Sequence, residues 1–200
     1  MRKRMLVILF IILATMLLLA VAAGAAEAKK PANYLSFRFG QFAPMGDLDD
    51  EGYEPGGHGQ LIFGHYFTSF FALEGGAMIS HFHGSDEPPY SSIYIDRPST
   101  LGGWVLTPKL VYPTGRFSLY AGAGIGYYHA DFEFYLQGPP GGYYELKDNL
   151  WGYHVLAGAD YDITRSWYLG LEFKYLSVPD FKDAFDIEGR TISLNIGLRF

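Results

Sequence analysis

The chain ends with the stretch SLNIGLRF, residues 193–200, in which apolar residues alternate with polar or small ones. Leu194, Ile196, Leu198 and Phe200 share one parity, and serine, asparagine, glycine and arginine lie between them. Successive side chains of a β-strand point to opposite faces, so this stretch predicts a strand with one apolar and one polar face. Chain termini are usually frayed and polar, so a strand that runs to a terminal phenylalanine needs an explanation.

The same alternation recurs in seven earlier segments of about ten residues each. They are YLSFRFGQF (34–42), QLIFGHYF (60–67), FFALEGGAMI (70–79), WVLTPKLVY (104–112), SLYAGAGIGYY (118–128), WGYHVLAGADY (151–161) and WYLGLEFKYL (167–176). The segment at 60–67 is ambiguous, because His65 shares its apolar face. About ten residues is the length that a tilted strand needs to cross a bilayer.

The N-terminus has the order of a secretory signal peptide. The basic stretch MRKR is followed by an uncharged apolar run and then by the small residues AGAAEA. This order predicts a cleaved signal peptide at residues 1–28 and a single mature domain at 29–200. The apolar run is also long enough to remain as a membrane anchor, which is the alternative.

Composition narrows the class of protein further. The chain carries a formal net charge of −6 and has no basic stripe, which argues against nucleic acid as a partner. It has no cysteine, so no disulfide framework stabilises it. The 16 tyrosines, 16 phenylalanines and 25 glycines, with no second apolar run of helical length, favour an all-β protein.

Two features indicate that the apolar face points outward into lipid. Large aromatic residues on that face lie near the strand ends, as in an interfacial girdle. The connections after the second, fourth and sixth strands are tight, whereas those after the first, third, fifth and seventh are long and polar, such as FEFYLQGPPGGYYELKDN. Short turns at one end and long loops at the other are the layout of a bacterial outer-membrane barrel. We therefore predict an eight-stranded antiparallel transmembrane up-and-down β-barrel; a water-soluble barrel is the rejected alternative.

The sequence resembles the eight-stranded outer-membrane barrels of the OmpA-type and OmpW-type superfamily over most of residues 33–200. The resemblance is clearest in RFSLYAGAGIGYY, in LKDNLWGYHVLAGADYDITRSWYLGLEFKY and in the closing SLNIGLRF. A final strand that ends in phenylalanine is similar to the signal read by the barrel assembly machinery. The resemblance therefore implies an outer-membrane location and a role for Phe200 as an assembly signal, with that machinery as a partner.

The polar face should fill the narrow interior of an eight-stranded barrel. Its charged residues are of both signs and are predicted to form a polar network in the lumen: Arg38, Glu74, Lys109, Asp160, Glu172, Lys174 and Arg199. Unpaired buried charges are costly, so the mixed signs favour a plug that stabilises the fold over a gated polar conduit. Glycines at 122, 124 and 126 would leave room for bulky groups from across the barrel.

Three weaker patterns contain residues that could carry chemistry, and none of them predicts a site. Asp47, Asp49 and Glu51 match the first positions of a calcium loop, but His58 stands where a bidentate glutamate is required. His81 and His83 offer two metal ligands with no third. Ser80, His81 and Glu74 do not share one face, as a lipid A-modifying enzyme would require. We predict no metal, no cofactor and no enzymatic activity.

Pro108 cannot donate a hydrogen bond to a closed ladder, so a bulge or a local opening is expected there.

The resemblance to OmpW-type barrels implies passage of small hydrophobic molecules. The predicted entrance is an apolar loop mouth formed by Phe132, Phe134, Tyr135, Tyr143 and Tyr144, from which a solute would leave sideways into the bilayer above the polar plug. The alternative is a structural or surface-interaction barrel whose loops contact lipopolysaccharide, host or neighbouring cells. Partners expected in either case are outer-membrane lipids and lipopolysaccharide.

Overall fold

The computed structural model describes residues 33–86, 95–136, 142–181 and 185–200, without the side chains at 85–86, 95–96, 134–136, 143–144, 180 and 185. The predicted signal peptide lies outside these ranges. The described part contains eight strands and one short helix: β1 (Asn33–Met45), α1 (Asp47–Asp50), β2 (Tyr53–Tyr66), β3 (Phe71–Asp86), β4 (Ile95–Thr114), β5 (Phe117–Leu136), β6 (Gly142–Asp162), β7 (Trp167–Phe181) and β8 (Phe185–Arg199). None of the helical structure in these ranges has the length and apolar character to cross a membrane.

The strands form one closed barrel in which each strand pairs with its sequence neighbours and β8 returns to β1. Every pairing is antiparallel. The seam closes at its end with a reciprocal pair of backbone hydrogen bonds between Asn33 and Phe200, at 3.0 and 2.9 Å. The predicted eight-stranded up-and-down barrel is thus confirmed, and closure pairs each strand with a neighbour on both sides over the central part of the wall.

The two ends of the barrel differ. The short-turn end carries the connections 67–70, 115–116 and 163–166, together with Asn33 and Phe200. One of these turns contains Gly115 at φ 64°, a left-handed conformation that favours glycine. The long-loop end carries α1 and the connections between β3 and β4, β5 and β6, and β7 and β8. The difference in connection length is smaller than predicted, because the strands continue at the long-loop end and leave only 137–141 between β5 and β6 and 182–184 between β7 and β8.

The outer wall is apolar over a band of membrane thickness. Trp151 and Tyr161 project outward from β6, with 65% and 38% of their surface exposed, and lie ten residues apart. At a rise of roughly 3.3 Å per residue and a tilt of about 40°, ten residues span about 25 Å. Outward Leu, Ile, Val and Phe side chains occupy the interval between the aromatic residues on the neighbouring strands. This is the dimension of the lipid-facing band of an outer-membrane barrel.

The strands are longer than the predicted ten residues and reach 20, 20 and 21 residues in β4, β5 and β6. Much of the predicted loop FEFYLQGPPGGYYELKDN is therefore strand, because β5 continues to Leu136 and β6 begins at Gly142. Beyond Tyr127 the two faces of β5 exchange character, so that the outward face becomes polar and the inward face apolar. His129, Asp131 and Glu133 point outward, whereas Ala130 and Phe132 are buried inside. A wall that has left the lipid faces water, so its polar residues turn outward.

Of the two outcomes expected at Pro108, a bulge or a local opening, the structure has the local opening. The β4–β5 register is the same on both sides of it, with Leu106 opposite Ile125 and Lys109 opposite Gly122. The pairs at positions 107 and 108 drop out of that ladder, as do those at 97 and 98 beside Pro98, which is the local interruption that a missing N–H imposes. Register shifts occur elsewhere, between Glu54 and Gly57 and between Val178 and Phe181.

Candidate functional site: the layered interior of the barrel

Arg38 is the centre of a buried polar layer in the half of the barrel nearer the short-turn end. Its guanidinium bridges two carboxylates from other strands, with Nη2 2.6 Å from Glu74 Oε1 and Nη1 2.9 Å from Glu172 Oε2. Lys109 Nζ lies 2.7 Å from the same Glu74 oxygen. These four side chains are only 1–3% exposed. Ion pairs from β1, β3, β4 and β7 thus join four strands across the lumen.

Lys174 reaches the same layer from β7. Its Nζ donates to Gln60 Oε1 at 2.5 Å and lies 3.8 Å from a carboxylate oxygen of Glu172. The structure therefore brings five of the seven predicted network residues together: Arg38, Glu74, Lys109, Glu172 and Lys174.

The other two predicted residues lie apart from this cluster. Arg199 pairs with Asp162, and its guanidinium lies 4.3 Å from the ring centroid of Tyr168. Asp160 is buried, but among the described side chains it makes none of the ion pairs observed, and its Oδ1 atom has no hydrogen-bond partner. The sequence shows that these residues point inward. It does not show which acidic residue comes within reach of Arg199.

Two tyrosines belong to the polar layer and were missing from the sequence-based set. Tyr34 donates a hydrogen bond to Glu74 Oε1 at 2.8 Å, and Tyr120 donates to Glu172 Oε2 at 3.2 Å. Asn195 donates to the Tyr120 hydroxyl at 2.8 Å, and Lys109 Nζ lies 3.6 Å from the centroid of the Tyr120 ring. The alternation within β1 could have identified Tyr34, because it is four residues from Arg38 and therefore lies on the same face of the strand.

His154 lies between the polar layer and the apolar residues beyond it. Its Nε2 atom is 2.7 Å from Thr107 Oγ1, and its Nδ1 atom is 3.4 Å from the Tyr128 hydroxyl. It is fully buried. With both ring nitrogens occupied inside the wall, His154 packs the lumen rather than facing solvent.

The interior toward the long-loop end is filled by an apolar cluster. Its buried members are Phe42, Leu48, Tyr53, Ile62, Met78, Phe82, Leu101, Val105, Tyr128, Ala130, Phe132, Leu176, Val178, Phe181 and Ile187. Five of these residues, Phe42, Tyr53, Phe82, Phe132 and Phe181, form an aromatic group with neighbouring ring centroids 4.8–5.9 Å apart. We call these five the aromatic group. Polar and apolar side chains therefore fill the lumen in two successive layers.

The predicted loop mouth is only partly visible. Phe132 is 1% exposed and belongs to the aromatic group inside the barrel, so its placement on an open loop was wrong. The side chains of Phe134, Tyr135, Tyr143 and Tyr144 lie outside the described residues. Their backbones are paired strand, with Phe134 opposite Tyr144 and Tyr135 opposite Tyr143.

The apolar layer reaches the wall where one strand pairing stops. The β6–β7 ladder begins with Tyr153 opposite Ser177, so the described residues 142–152 of β6 pair with β5 alone. Leu150 packs partly buried against the apolar cluster, and Val178 is fully buried on the β7 side. Trp151, the residue after Leu150, projects outward with 65% of its surface exposed, and its ring packs against Tyr127 of β5. We call this end of the ladder the β6–β7 gap.

The residues of the three weaker sequence patterns make structural contacts instead. Asp47 accepts a hydrogen bond from the backbone N–H of Asp186 at 3.0 Å, and Glu51 pairs with Arg97, so the calcium-like stretch is the helix α1 and its flank. Ser80 lies inside the barrel, where its Oγ atom is 2.9 Å from His58 Nδ1. His81 lies outside, with Nδ1 2.9 Å from Thr100 Oγ1. Ser80 and His81 therefore occupy opposite sides of the wall.

An acidic group that the sequence analysis did not single out lies on the extended outer wall. The carboxylates of Asp131, Glu133 and Glu145 come within 4.8 Å of one another. Lys147 lies among them, with Nζ 3.1 Å from Asp131 and 2.5 Å from Glu145. Hydrogen bonds to Glu145 and Asp131 raise the pKa of Lys147, so it stays charged and neutralises part of the group. An ion-pair cluster accounts for these residues.

The fold, the apolar outer band and the polar interior define a bacterial outer-membrane barrel. The family model for the outer membrane protein beta-barrel domain matches residues 11–200, and the chain belongs to this family. The predicted resemblance and the outer-membrane location are thereby confirmed. In such barrels the short turns face the periplasm and the long loops face outside the cell.

Solved structures of outer-membrane barrels share this fold at low sequence identity. Neisserial surface protein A is 15% identical at a TM-score of 0.61, with 84% of this chain and 97% of that chain covered. OprG from Pseudomonas aeruginosa is 15% identical at a TM-score of 0.58, covering 86% and 97%. Ail, the attachment invasion locus protein of Yersinia pestis, is 17% identical at a TM-score of 0.57, covering 86% and 99%. No functionally curated protein matches the chain in sequence.

Proposed function

We propose that the protein passes small apolar molecules from the cell surface into the outer leaflet of the outer membrane. The observation that carries this proposal is the contact between the apolar cluster and the β6–β7 gap. An apolar compartment that meets the barrel wall at the height of Trp151, the membrane interface, offers a route to the bilayer that avoids the polar layer. The layers of the interior divide this route into a capture step, a barrier and an exit.

Capture takes place among the aromatic group. Its rings come from β1, β2, β3, β5 and β7, so a solute among them is surrounded by apolar surface on all sides. Burying apolar surface releases roughly 25 cal/mol per Å². A flat or branched hydrocarbon is therefore held without any polar anchor. In the closed state the side chains of the cluster fill this space themselves, and they must move apart to admit a solute.

The polar layer is the barrier. Below the apolar cluster a solute would meet the ion pairs of Arg38, Glu74 and Glu172, which are buried and joined to one another. Separating a buried ion pair to insert an apolar group leaves uncompensated charge in a region of low dielectric, which is strongly unfavourable. The periplasmic direction is therefore closed to an apolar solute.

The exit is the β6–β7 gap. Leu150 and Val178 line it from inside, and residues 142–152 of β6 have no ladder hydrogen bonds to β7 that would have to break. Trp151 marks the height of the membrane interface on the outside. A solute that moves between these two strands therefore arrives at the boundary of the outer leaflet.

The test is a cross-link that closes the gap. The natural chain has no cysteine, so Gly152→Cys with Val178→Cys can form only one intramolecular disulfide. A Cβ atom placed on Gly152 would lie 2.8 Å from Val178 Cγ2, which brings the two Cβ atoms close to disulfide spacing. Uptake of a small apolar fluorophore is measured in vesicles whose outer leaflet contains lipopolysaccharide. We expect oxidation to abolish the uptake supported by the double variant and reductant to restore it.

Each single-cysteine variant, oxidised in parallel, is the matched control and should keep its uptake. If the natural protein gives no more uptake than protein-free vesicles, transport is refuted. If oxidised and reduced double variants transport equally, transport stands and the exit lies elsewhere.

A second candidate function is surface interaction without transport. It is favoured by the polar outer wall above the girdle, where His81, Thr100, Asp131 and Lys147 lie side by side on β3 to β6. At this height the wall faces the head groups and sugars of lipopolysaccharide. Under this proposal, replacing His81 and Lys147 with alanine lowers the amount of lipopolysaccharide that copurifies with the protein and leaves apolar uptake unchanged.

A further inference from the structure

The helix α1 lies at the long-loop end of the barrel, and one of its side chains enters the interior. Its first residues follow β1 directly, and the side chain of Leu48 points down into the apolar cluster with no exposed surface. The neighbouring acidic residues Asp47, Asp49 and Asp50 face solvent. A single apolar side chain on an otherwise acidic turn has one physical role here, which is to occupy apolar space that water would otherwise reach.

Two glycines in the left-handed region bracket this turn. Gly46 has φ 59° and Gly52 has φ 78°, so the chain changes direction at both ends of the segment 47–51. Backbone hydrogen bonds from Asp50 N to Gly46 O and from Glu51 N to Asp47 O, both 3.0 Å, make the segment a unit of its own. Glycine carries no Cβ and moves between φ regions at little cost, so these two positions are suited to act as hinges.

Polar contacts on two sides hold the unit down. Arg97 on β4 reaches across the mouth, where Nη1 lies 3.5 Å from Glu51 Oε2 and Nη2 bonds the Glu51 carbonyl oxygen. On the other side Asp47 accepts the hydrogen bond from Asp186 N on β8. The Arg97 side chain is 6% exposed, whereas that of Glu51 is 66% exposed. A pair with one solvated partner is weak, so it can open without a large loss of free energy.

We propose that residues 46–52 form a hinged lid whose Leu48 side chain holds the place of the solute, and that the Arg97–Glu51 contact is its latch. The inference rests on the proposed function and adds its regulation. An apolar molecule of about the size of a branched aliphatic side chain enters when Leu48 withdraws, and it occupies the position against the aromatic group. The latch sets the fraction of time that the mouth is open, and therefore the rate of entry.

Lid opening can be measured without any transport assay. In the variant Leu48→Cys, reaction with a membrane-impermeant maleimide reports how often residue 48 leaves the cluster. Asp49→Cys, on the exposed side of the same turn, gives the rate for an open position, and Ile62→Cys, buried deeper in the same cluster, gives the rate for a closed one. We expect Leu48→Cys to react at a measurable rate between these two limits.

Adding Arg97→Gln to Leu48→Cys should raise the labelling rate about two- to fivefold, the range expected for loss of a solvated ion pair. Glu51→Gln keeps the Nη2 bond to the carbonyl oxygen of residue 51, so it should raise the rate by less, and adding it to Arg97→Gln should change little, because Arg97→Gln already removes the ion pair. A small apolar solute should raise the rate as well, since it competes with residue 48 for the same space.

The lid and the transport proposal fail in different ways. Labelling at the Ile62→Cys rate, unchanged by solute and by Arg97→Gln, refutes the lid even if uptake is normal. Labelling that responds as expected, in a protein that gives no uptake, supports the lid and refutes transport. A disulfide between Asp47→Cys and Asp186→Cys completes the design. If the lid controls entry, this disulfide should block uptake when it is oxidised. Normal uptake through the oxidised protein would show that entry does not depend on the lid.

Discussion

Inward aromatic rings of this barrel lie directly on inward glycines. A Cβ atom on Gly64 would fall on the ring of Tyr34, one on Gly197 on the ring of Tyr168, and one on Gly158 on the ring of Tyr120. A ring can lie flat against a neighbouring strand only where that strand has no side chain. This packing explains why inward glycines and tyrosines are both numerous in the chain, and it brings the Tyr34 and Tyr120 hydroxyls to the carboxylates of the polar layer.

Gly64→Ala tests this packing. The new methyl group must displace the Tyr34 ring, which is also tied to Glu74 by a hydrogen bond, so we expect a loss of about 1–3 kcal/mol in the free energy of unfolding. Gly57→Ala is the control, because it lies on the same strand with no atom within 4 Å of the added Cβ. Urea unfolding in lipid vesicles measures both. Equal effects of the two substitutions would contradict the proposed role of the glycine.

Glu74→Gln tests the polar layer. The carboxylate neutralises parts of both Arg38 and Lys109, and its loss leaves buried positive charge without a counter-charge, so we expect destabilisation of about 3 kcal/mol or more. The control is Glu145→Gln, which removes the same charge from a solvated pair on the outer wall and should leave stability nearly unchanged. If Glu74→Gln were as mild as the control, the layer would not act as a connected network.

The side of the wall on which a residue lies could be predicted from the sequence, because it depends only on local alternation along one strand. Arg38, Glu74, Lys109, Glu172 and Lys174 were assigned to the lumen in this way, and they do lie there. Contacts between them depend on register and barrel curvature, which no single strand encodes. For that reason the sequence grouped Arg199 with the central charges, whereas in the structure it pairs with Asp162 near the periplasmic turn.

At the scale of whole strands, all eight strands could be predicted from the sequence, but their predicted lengths were too short. The prediction assumed an outward apolar face throughout, and that assumption holds only inside the lipid. Above Tyr127 the outward residues are polar and the inward ones apolar, so the continuation of β5 looked like a loop rich in aromatic residues. The point at which the alternation inverts marks the membrane boundary. The β6–β7 gap has no such signal, because the point at which pairing between two strands stops depends on both strands and is not encoded in the alternation of either.

The last strand carries a further prediction, that Phe200 acts as an assembly signal. Its ring is outward with 57% of its surface exposed, while its backbone closes the β1–β8 seam. Because Phe200→Ala keeps the backbone contacts, we expect the variant to refold in detergent with normal strand content but to insert poorly into the outer membrane of cells. The heat-modifiable folded band on gels measures insertion.

Phe117→Ala removes an equally exposed outward ring from the same end of the barrel and serves as the control. It should insert normally if the terminal position is what the assembly machinery reads. If Phe200→Ala and Phe117→Ala inserted equally well, Phe200 would be one aromatic residue of the interfacial girdle and not an assembly signal.

At the scale of the whole molecule, two seals lie in series along the lumen. The polar layer closes the periplasmic half through ion pairs, and the apolar cluster closes the extracellular half through packing. Ions are excluded by the apolar cluster because it offers them no replacement for their hydration shell. Apolar solutes are excluded by the polar layer for the opposite reason. Two barriers of opposite character therefore oppose passage of both classes along the lumen, and only the proposed sideways route avoids the polar layer.

This arrangement predicts that the protein conducts no ions in planar bilayers, and that removing either seal alone leaves it closed. Arg38→Ala with Glu74→Ala removes the central charges of the polar layer but keeps the aromatic group above it. Phe82→Ala with Phe132→Ala thins the aromatic group but keeps the ion pairs. Only the four substitutions together should give stable current steps, in protein whose folding is verified by heat modifiability. Stable current steps from the natural protein would contradict the plug and favour the gated polar conduit.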